Sequence, residues 1–212
     1  MTACLCNLSL SDENKREIAN CGAVPPLLAH MQNEDMLIAS QSSTCLANIA
    51  EESINQTIIA QNGGILPCIA VMRTKHLEVQ RECGRLLSNL CACTVPDHIQ
   101  TVMDGGGHES LISFLLSDDL VCQRVGAFGL GNLCSHEDKH RVSLLRVGIF
   151  EPLASLARSE DTEVELRRFA TLAIANLAST VDNHADLIAD GILPMLVSLS
   201  TSSDADVRNF AA

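Results

Sequence analysis

The chain has 212 residues, 47% of them hydrophobic but only 2% aromatic, with neither Trp nor Tyr. Its 26 acidic and 14 basic residues leave a net charge of −12, and with so few stacking platforms that charge argues against nucleic acid as a partner. No run approaches the ~18 apolar residues that cross a membrane, and the N-terminus carries neither a basic-then-apolar leader nor a glycine after Met1 for lipidation.

Residues Thr2 to Leu8 read as the tail of a long helix. Ser11-Asp12-Glu13 then supplies a cap and acidic first-turn charge for a short helix that ends at Gly22, and Pro25 suits the first turn of the next. A polar turn leads into a long third helix that closes near Asn48. The second copy repeats the plan through Gly64-Ile65-Leu66-Pro67. Its third helix, Val79 to Leu90, has apolar or small residues at 79, 83, 86, 87 and 90 on one stripe. The third copy turns at Gly106-Gly107-His108-Glu109 without a proline, restarts at Asp118-Asp119 and ends at Asn132. Gly126, Gly129 and Gly131 stand inside that helix, where each costs ~1 kcal/mol relative to Ala and points to close packing or a bend. The fourth turns at Gly148 with Pro152, restarts at Ser159-Glu160-Asp161 and runs from Leu166 to Leu177. Gly191-Ile192-Leu193-Pro194 and Ser203-Asp204 begin a further copy, and Val207 to Ala212 read as the opening of its third helix.

Two clocks therefore run through the chain. Asn7, Asn48, Asn89, Asn132 and Asn176 are spaced 41, 41, 43 and 44 residues apart, and the turn glycines 42, 42, 42 and 43. A fixed period of this length marks a stacked helical array, whose product is an extended surface rather than a reaction centre. The array spans 1–212, with complete repeats at 11–52, 53–94, 95–136 and 137–180 and partial ones at 1–10 and 181–212. Neither end has an evident polar cap. The chain is thus expected to be a segment of a longer array, prone to end-to-end association.

Leu5-Cys6-Asn7-Leu8, Val79-Gln80-Arg81-Glu82 and Gly64-Ile65-Leu66-Pro67 resemble the armadillo repeat family over essentially the whole chain. The helical HEAT repeat competes in architecture, but the glycine turn and the recurrent Asn favour armadillo. The resemblance implies an all-α fold, a right-handed α-α superhelix (the armadillo solenoid) of three-helix repeats, without enzyme activity or cofactor. It also implies that the third-helix face carrying the Asn lines a concave, peptide-binding groove.

Residues eight and four before each Asn share its helical face. The rungs are Ser40-Thr44-Asn48, Arg81-Arg85-Asn89, Arg124-Phe128-Asn132 and Arg168-Leu172-Asn176. No acidic residue occupies a rung, whereas four arginines do. Each Asn amide can pair with the C=O and N–H of a peptide backbone; the alternative is a bond within the repeat. On the peptide reading the amides matter little for stability. Arg81, Arg124 and Arg168 would suit an acidic or phosphorylated segment held by guanidinium forks. The alternative is local pairing of Arg81 with Glu78 and Arg168 with Glu165. Phe128 is a candidate apolar anchor. The nuclear import adaptors of the family place a Trp four before the Asn. Here that place holds Ala3, Thr44, Arg85, Phe128 and Leu172, which speaks against import-signal binding.

Six of the ten cysteines (Cys4, Cys6, Cys45, Cys83, Cys91 and Cys134) fall at fixed places near an Asn where other copies carry compact residues. They read as reduced, buried thiols of a cytoplasmic or nuclear protein. His136-Glu137-Asp138-Lys139-His140 matches the H-E-x-x-H zinc protease pattern, which needs both histidines on one helical face. It falls in the polar turn before a first helix, so a metalloprotease is the remote alternative and no metal is expected. Gly105-Gly106-Gly107 lacks the strand and the Lys-Ser/Thr of a phosphate loop. The expected partner is a protein or peptide, held by a scaffold or adaptor. A second reading is the substrate-recruiting array of a U-box ubiquitin ligase, which the stretch Leu5 to Lys15 resembles.

Overall fold

A computed structural model describes residues 2–74 and 76–212, and every regular element among them is helical. Contacts divide the chain into two compact units, Met1–Ser110 and Leu111–Ala212. The first holds α1 (Thr2–Leu8), α2 (Asp12–Asn20), α3 (Val24–Met31), α4 (Met36–Ile49), α5 (Ser53–Gln61), α6 (Ile65–Met72), α7 (Leu77–Leu90), α8 (Pro96–Asp104) and the start of α9 (Gly107–Leu115). The second holds the rest of α9, α10 (Leu120–Leu133), α11 (Asp138–Arg146), α12 (Phe150–Arg158), α13 (Val164–Ala178), a 3-10 turn at Val181–Asn183, α14 (His184–Ala189), α15 (Ile192–Leu199) and α16 (Ala205–Ala211).

The plan of two short helices and one long helix follows from local chemistry. Each first helix ends on a glycine in the left-handed region, where an L side chain is strained. These are Gly22, Gly63, Gly106, Gly148 and Gly191, with φ between 73° and 85°. The second copy departs from the expected register: its left-handed residue is Gly63, while Gly64 is right-handed at the N-cap of α6. Gly64 is needed for another reason, since a Cβ there would lie 2.6 Å from Ile59 Cγ2 and 2.9 Å from Ile59 O.

Aspartates cap α4, α10 and α16. Asp35 accepts from the N–H of Leu37 at 2.9 Å, and Asp119 from that of Cys122 at 2.9 Å. Asp204 accepts from the N–H groups of Asp206 and Val207 at 3.1 and 3.0 Å. Two expected caps differ. Ser11 stands at the N-cap of α2 without a side-chain bond, and Glu163 rather than a residue of Ser159-Glu160-Asp161 stands at the N-cap of α13.

Within each unit the long helices stack on one another, α4 on α7 and α10 on α13, with α3, α6 and α12 packed against the long helix of their own repeat. The core is aliphatic. Leu27, Leu46, Ile49, Leu86 and Leu87 are fully buried in the first unit, as are Leu130, Leu153 and Leu177 in the second, with Phe150 its largest side chain.

All ten cysteines are free, and Cys45, Cys68, Cys83, Cys91, Cys93, Cys122 and Cys134 are buried. Cys4, expected between stacked helices, is exposed, as is Cys21, and Cys6 is half-buried. Burial pushes the thiol of Cys45 up to about 11 and that of Cys134 up to about 12, and raises Cys68 and Cys91 as well. Thiolate is the reactive form. Iodoacetamide at pH 8 should therefore modify Cys4, Cys21 and, more slowly, Cys6 in the native protein. The buried seven should react only after unfolding. Peptide mapping by mass spectrometry reads this out, and rapid native labelling of Cys91 or Cys134 would contradict the packing described.

Candidate functional site

The recurrent Asn has a structural duty that the sequence left open. At the end of α4 the backbone N–H groups of Ala50, Glu51 and Glu52 bond to Leu46, Asn48 and Ile49. They pass over the carbonyl of Ala47, one of the orphan acceptors at a helix C-terminus. Asn89 on α7 supplies the missing donor, Nδ2 to Ala47 O at 3.1 Å. The second unit repeats the device. The N–H groups of Cys134, Ser135 and His136 bond to Leu130, Asn132 and Leu133 and skip Gly131. Asn176 on α13 donates Nδ2 to Gly131 O at 3.1 Å. Each amide thus caps the long helix of the preceding repeat, rather than a turn within its own. Asn89 and Asn176 remain half-buried, and among the described residues their amide oxygens and second N–H groups have no other partner. Asn132 lies half-buried on α10.

Asn48 differs. It is 5% exposed. Its Nδ2 donates to Ser9 Oγ at 2.9 Å, and Ser9 in turn donates to Cys6 O at 2.7 Å. Its Oδ1 accepts from Arg85 Nη2 at 2.8 Å. Both sides of the amide are engaged.

The arginines do not form an open row. Arg85 is held by Glu82 at 2.7 Å and Glu51 at 3.3 Å, and Glu51 is shared with the buried Lys15. Arg124 reaches Glu165 at 3.1 Å and Glu163 at 3.4 Å. Arg168 forks onto Asp204, with Nη2 at 2.7 Å and Nε at 3.1 Å, and Nε lies 3.2 Å from Asp206. The bonded guanidinium of Arg168, followed by the N–H of Val207, holds the Asp204 carboxyl down at about 2. Arg81 is half-buried on α7. The expected partner of Arg168, Glu165, binds Arg124 instead, and Glu78 accepts from Ser40 Oγ at 3.2 Å. Of the row Arg81, Arg124 and Arg168 that would suit an acidic ligand, Arg124 and Arg168 are thus already paired, and Arg85 on the neighbouring rung position is paired as well. The protein's own carboxylates fill that role.

Reasoning along one helix finds neighbours three or four residues away. Glu82 is such a neighbour of Arg85, but the other partners lie 34, 37, 41 and 36 residues away, on the adjoining repeat. The signal that could have found them is an acidic residue a little less than one period from each arginine.

Phe128 is half-buried, its ring tilted against that of Phe169 with centroids 5.1 Å apart. The pair joins α10 to α13. Close approach explains Gly126: a Cβ there would sit 2.6 Å from Leu115 N and 2.7 Å from Leu111 O. Gly131 has no such pressure, with Ala173 Cβ at 3.8 Å.

The H-E-x-x-H segment does not lie on one helix. α11 starts at Asp138, Glu137 is its extended N-cap and His136 precedes it, while His140 is buried at 4% exposure. Glu137 is paired with Lys139 at 2.9 Å. The glycine run is tied through its backbone, Arg73 donating to Gly106 O at 3.1 Å. No helix of the described residues is long and apolar enough to cross a membrane.

The family model for the armadillo/beta-catenin-like repeat matches residues 11–51. No curated protein matches the chain by sequence. Among solved structures, an engineered protein superposes with a TM-score of 0.90 at 27% identity, covering 99% of this chain and 85% of its own. The designed armadillo repeat protein YIII(Dq)4CqI gives 0.91 at 20% identity, over 99% and 88%. A designed armadillo repeat protein in complex with the peptide (KR)4 gives 0.87 at 21% identity, over 99% and 87%. Repeated long helices, left-handed glycine turns and a direct match to one repeat agree: the chain carries the armadillo repeat and folds as an armadillo solenoid.

Proposed function

We propose that the chain is a non-catalytic recognition scaffold that holds an extended peptide along the third-helix rungs. The observation that carries the reading is the divided use of Asn89 and Asn176. One amide N–H caps the neighbouring helix and fixes the side chain, while an amide oxygen and a second N–H have no partner among the described residues. A fixed, half-exposed amide can accept from and donate to a peptide backbone without conformational cost.

The side-chain preference is for basic or mixed-charge segments, not for the acidic one that an open arginine row would suit. Around Arg124 and Arg168 stand four carboxylates, Glu163, Glu165, Asp204 and Asp206. Glu165 and Asp206 are at least half exposed. An acidic ligand would have to displace them, whereas a lysine or arginine would join them. The ten free cysteines support work in a reducing compartment, cytoplasm or nucleus.

The test is a calorimetric titration at low salt with the octapeptide (KR)4 and an alternating Asp-Glu octapeptide. (KR)4 should bind with a Kd in the micromolar range, on the order of −8 kcal/mol, and about tenfold tighter than the acidic peptide. The charge assignment falls if the acidic peptide binds better, and the scaffold reading falls if neither binds at millimolar concentration.

A further inference from the structure

Arg85 is placed against Asn48 as a bound ligand would be. Its Nη2 donates to Asn48 Oδ1 at 2.8 Å, the bond that a peptide N–H would make to a rung amide. The other edge of that amide is used by Ser9. Among the described residues the equivalent oxygens of Asn89 and Asn176 have no such donor. Arg85 is also secured from behind. Glu82, one turn earlier on the same helix, takes both Nη2 and Nε at 2.7 and 3.2 Å. Glu51, itself fixed by Lys15, takes Nη1. With three partners and a one-third exposed side chain, the guanidinium covers an amide that is itself 5% exposed.

We infer that Arg85 is a latch: it occupies the Asn48 rung in place of ligand backbone, so that in the first unit a bound peptide engages Asn89 and stops short of Asn48. The inference rests on the peptide-binding reading and names the residue that limits its footprint. Arg85 would then be specificity-determining, because a segment long enough to need the Asn48 contact is refused until the latch is removed.

The experiment measures (KR)4 binding to the full chain and to Arg85→Ala, with Arg85→Gln as the milder replacement, each checked for a native melt. Loss of a positive charge alone would favour a basic peptide, so the same substitutions are made on Asn48→Ala, or on Asn48→Ser should the alanine variant not fold. Opening the rung should tighten binding by about fivefold with Asn48 present, and by no more than about twofold without it, the remainder being charge. An equal gain in both backgrounds, or no gain, overturns the latch while leaving the scaffold reading intact. Binding seen only after Arg85 is replaced supports the latch and overturns the open-groove reading of the native chain. Absence of binding in every variant overturns both.

Discussion

Replacing Gly126 by alanine should lower the stability of the protein by about 2–3 kcal/mol, toward the upper end for forcing extra volume into a packed site. The added Cβ would meet Leu115 N at 2.6 Å, Leu111 O at 2.7 Å and Leu115 Cα at 3.0 Å. All three atoms are backbone of α9, so no rotamer change relieves the clash and α9 and α10 must separate. The gain in helix propensity, ~1 kcal/mol, does not offset this. Gly131, five residues later on the same helix, provides the control. A Cβ there finds Ala173 Cβ at 3.8 Å and Phe169 O at 3.9 Å, ordinary contacts, so Gly131→Ala should be neutral or stabilising by up to ~1 kcal/mol. Urea melts of the pair decide the matter. If Gly126→Ala matches or exceeds the native midpoint, the close approach of the two helices is not as described.

The double substitution Asn89→Ala, Asn176→Ala should have two effects of different origin. Each removes the donor that serves an orphan helix carbonyl, Ala47 O or Gly131 O. At half-buried positions that costs about 1 kcal/mol apiece. Each also removes the amide face proposed to hold peptide backbone, so (KR)4 should bind about tenfold more weakly. Asparagine to aspartate separates cap from volume: a carboxylate cannot donate, and it would set acceptor against acceptor. Asn89→Asp should therefore melt below Asn89→Ala. A double alanine variant with native affinity would refute the ladder as the binding surface. One with native stability would refute the capping bond.

The stability cost corrects the peptide reading of the sequence, on which the amides matter little for stability; their bond is also made to the preceding repeat, not within their own. Much of the fold was legible because its determinants are local and repeat: the spacing of Asn7, Asn48, Asn89, Asn132 and Asn176, the glycine turns, and the apolar stripe from Val79 to Leu90. The glycine register slipped by one at Gly63-Gly64 because both neighbours are glycine, and only backbone dihedrals tell a left-handed residue from a close-packed one. The rungs could be assigned to one helical face, but not their availability. Arg85 meets Asn48, and Arg168 meets Asp204, through stacking of successive repeats. Which carboxylate faces which guanidinium depends on helix offsets of a few ångströms that no spacing rule supplies. Arg168 and Glu165 satisfy the i, i+3 rule, yet Glu165 turns to Arg124.

The Asn89–Ala47 and Asn176–Gly131 bonds also give the array a direction. In both, a later repeat completes the helix terminus of an earlier one, and the donor is a side chain that the earlier repeat cannot supply for itself. During synthesis, which proceeds from the N-terminus, α4 would emerge with a frayed last turn and settle only once Asn89 had left the ribosome. Within each unit, loosening by heat or denaturant should travel the opposite way, detachment of α7 or α13 exposing the raw end of α4 or α10.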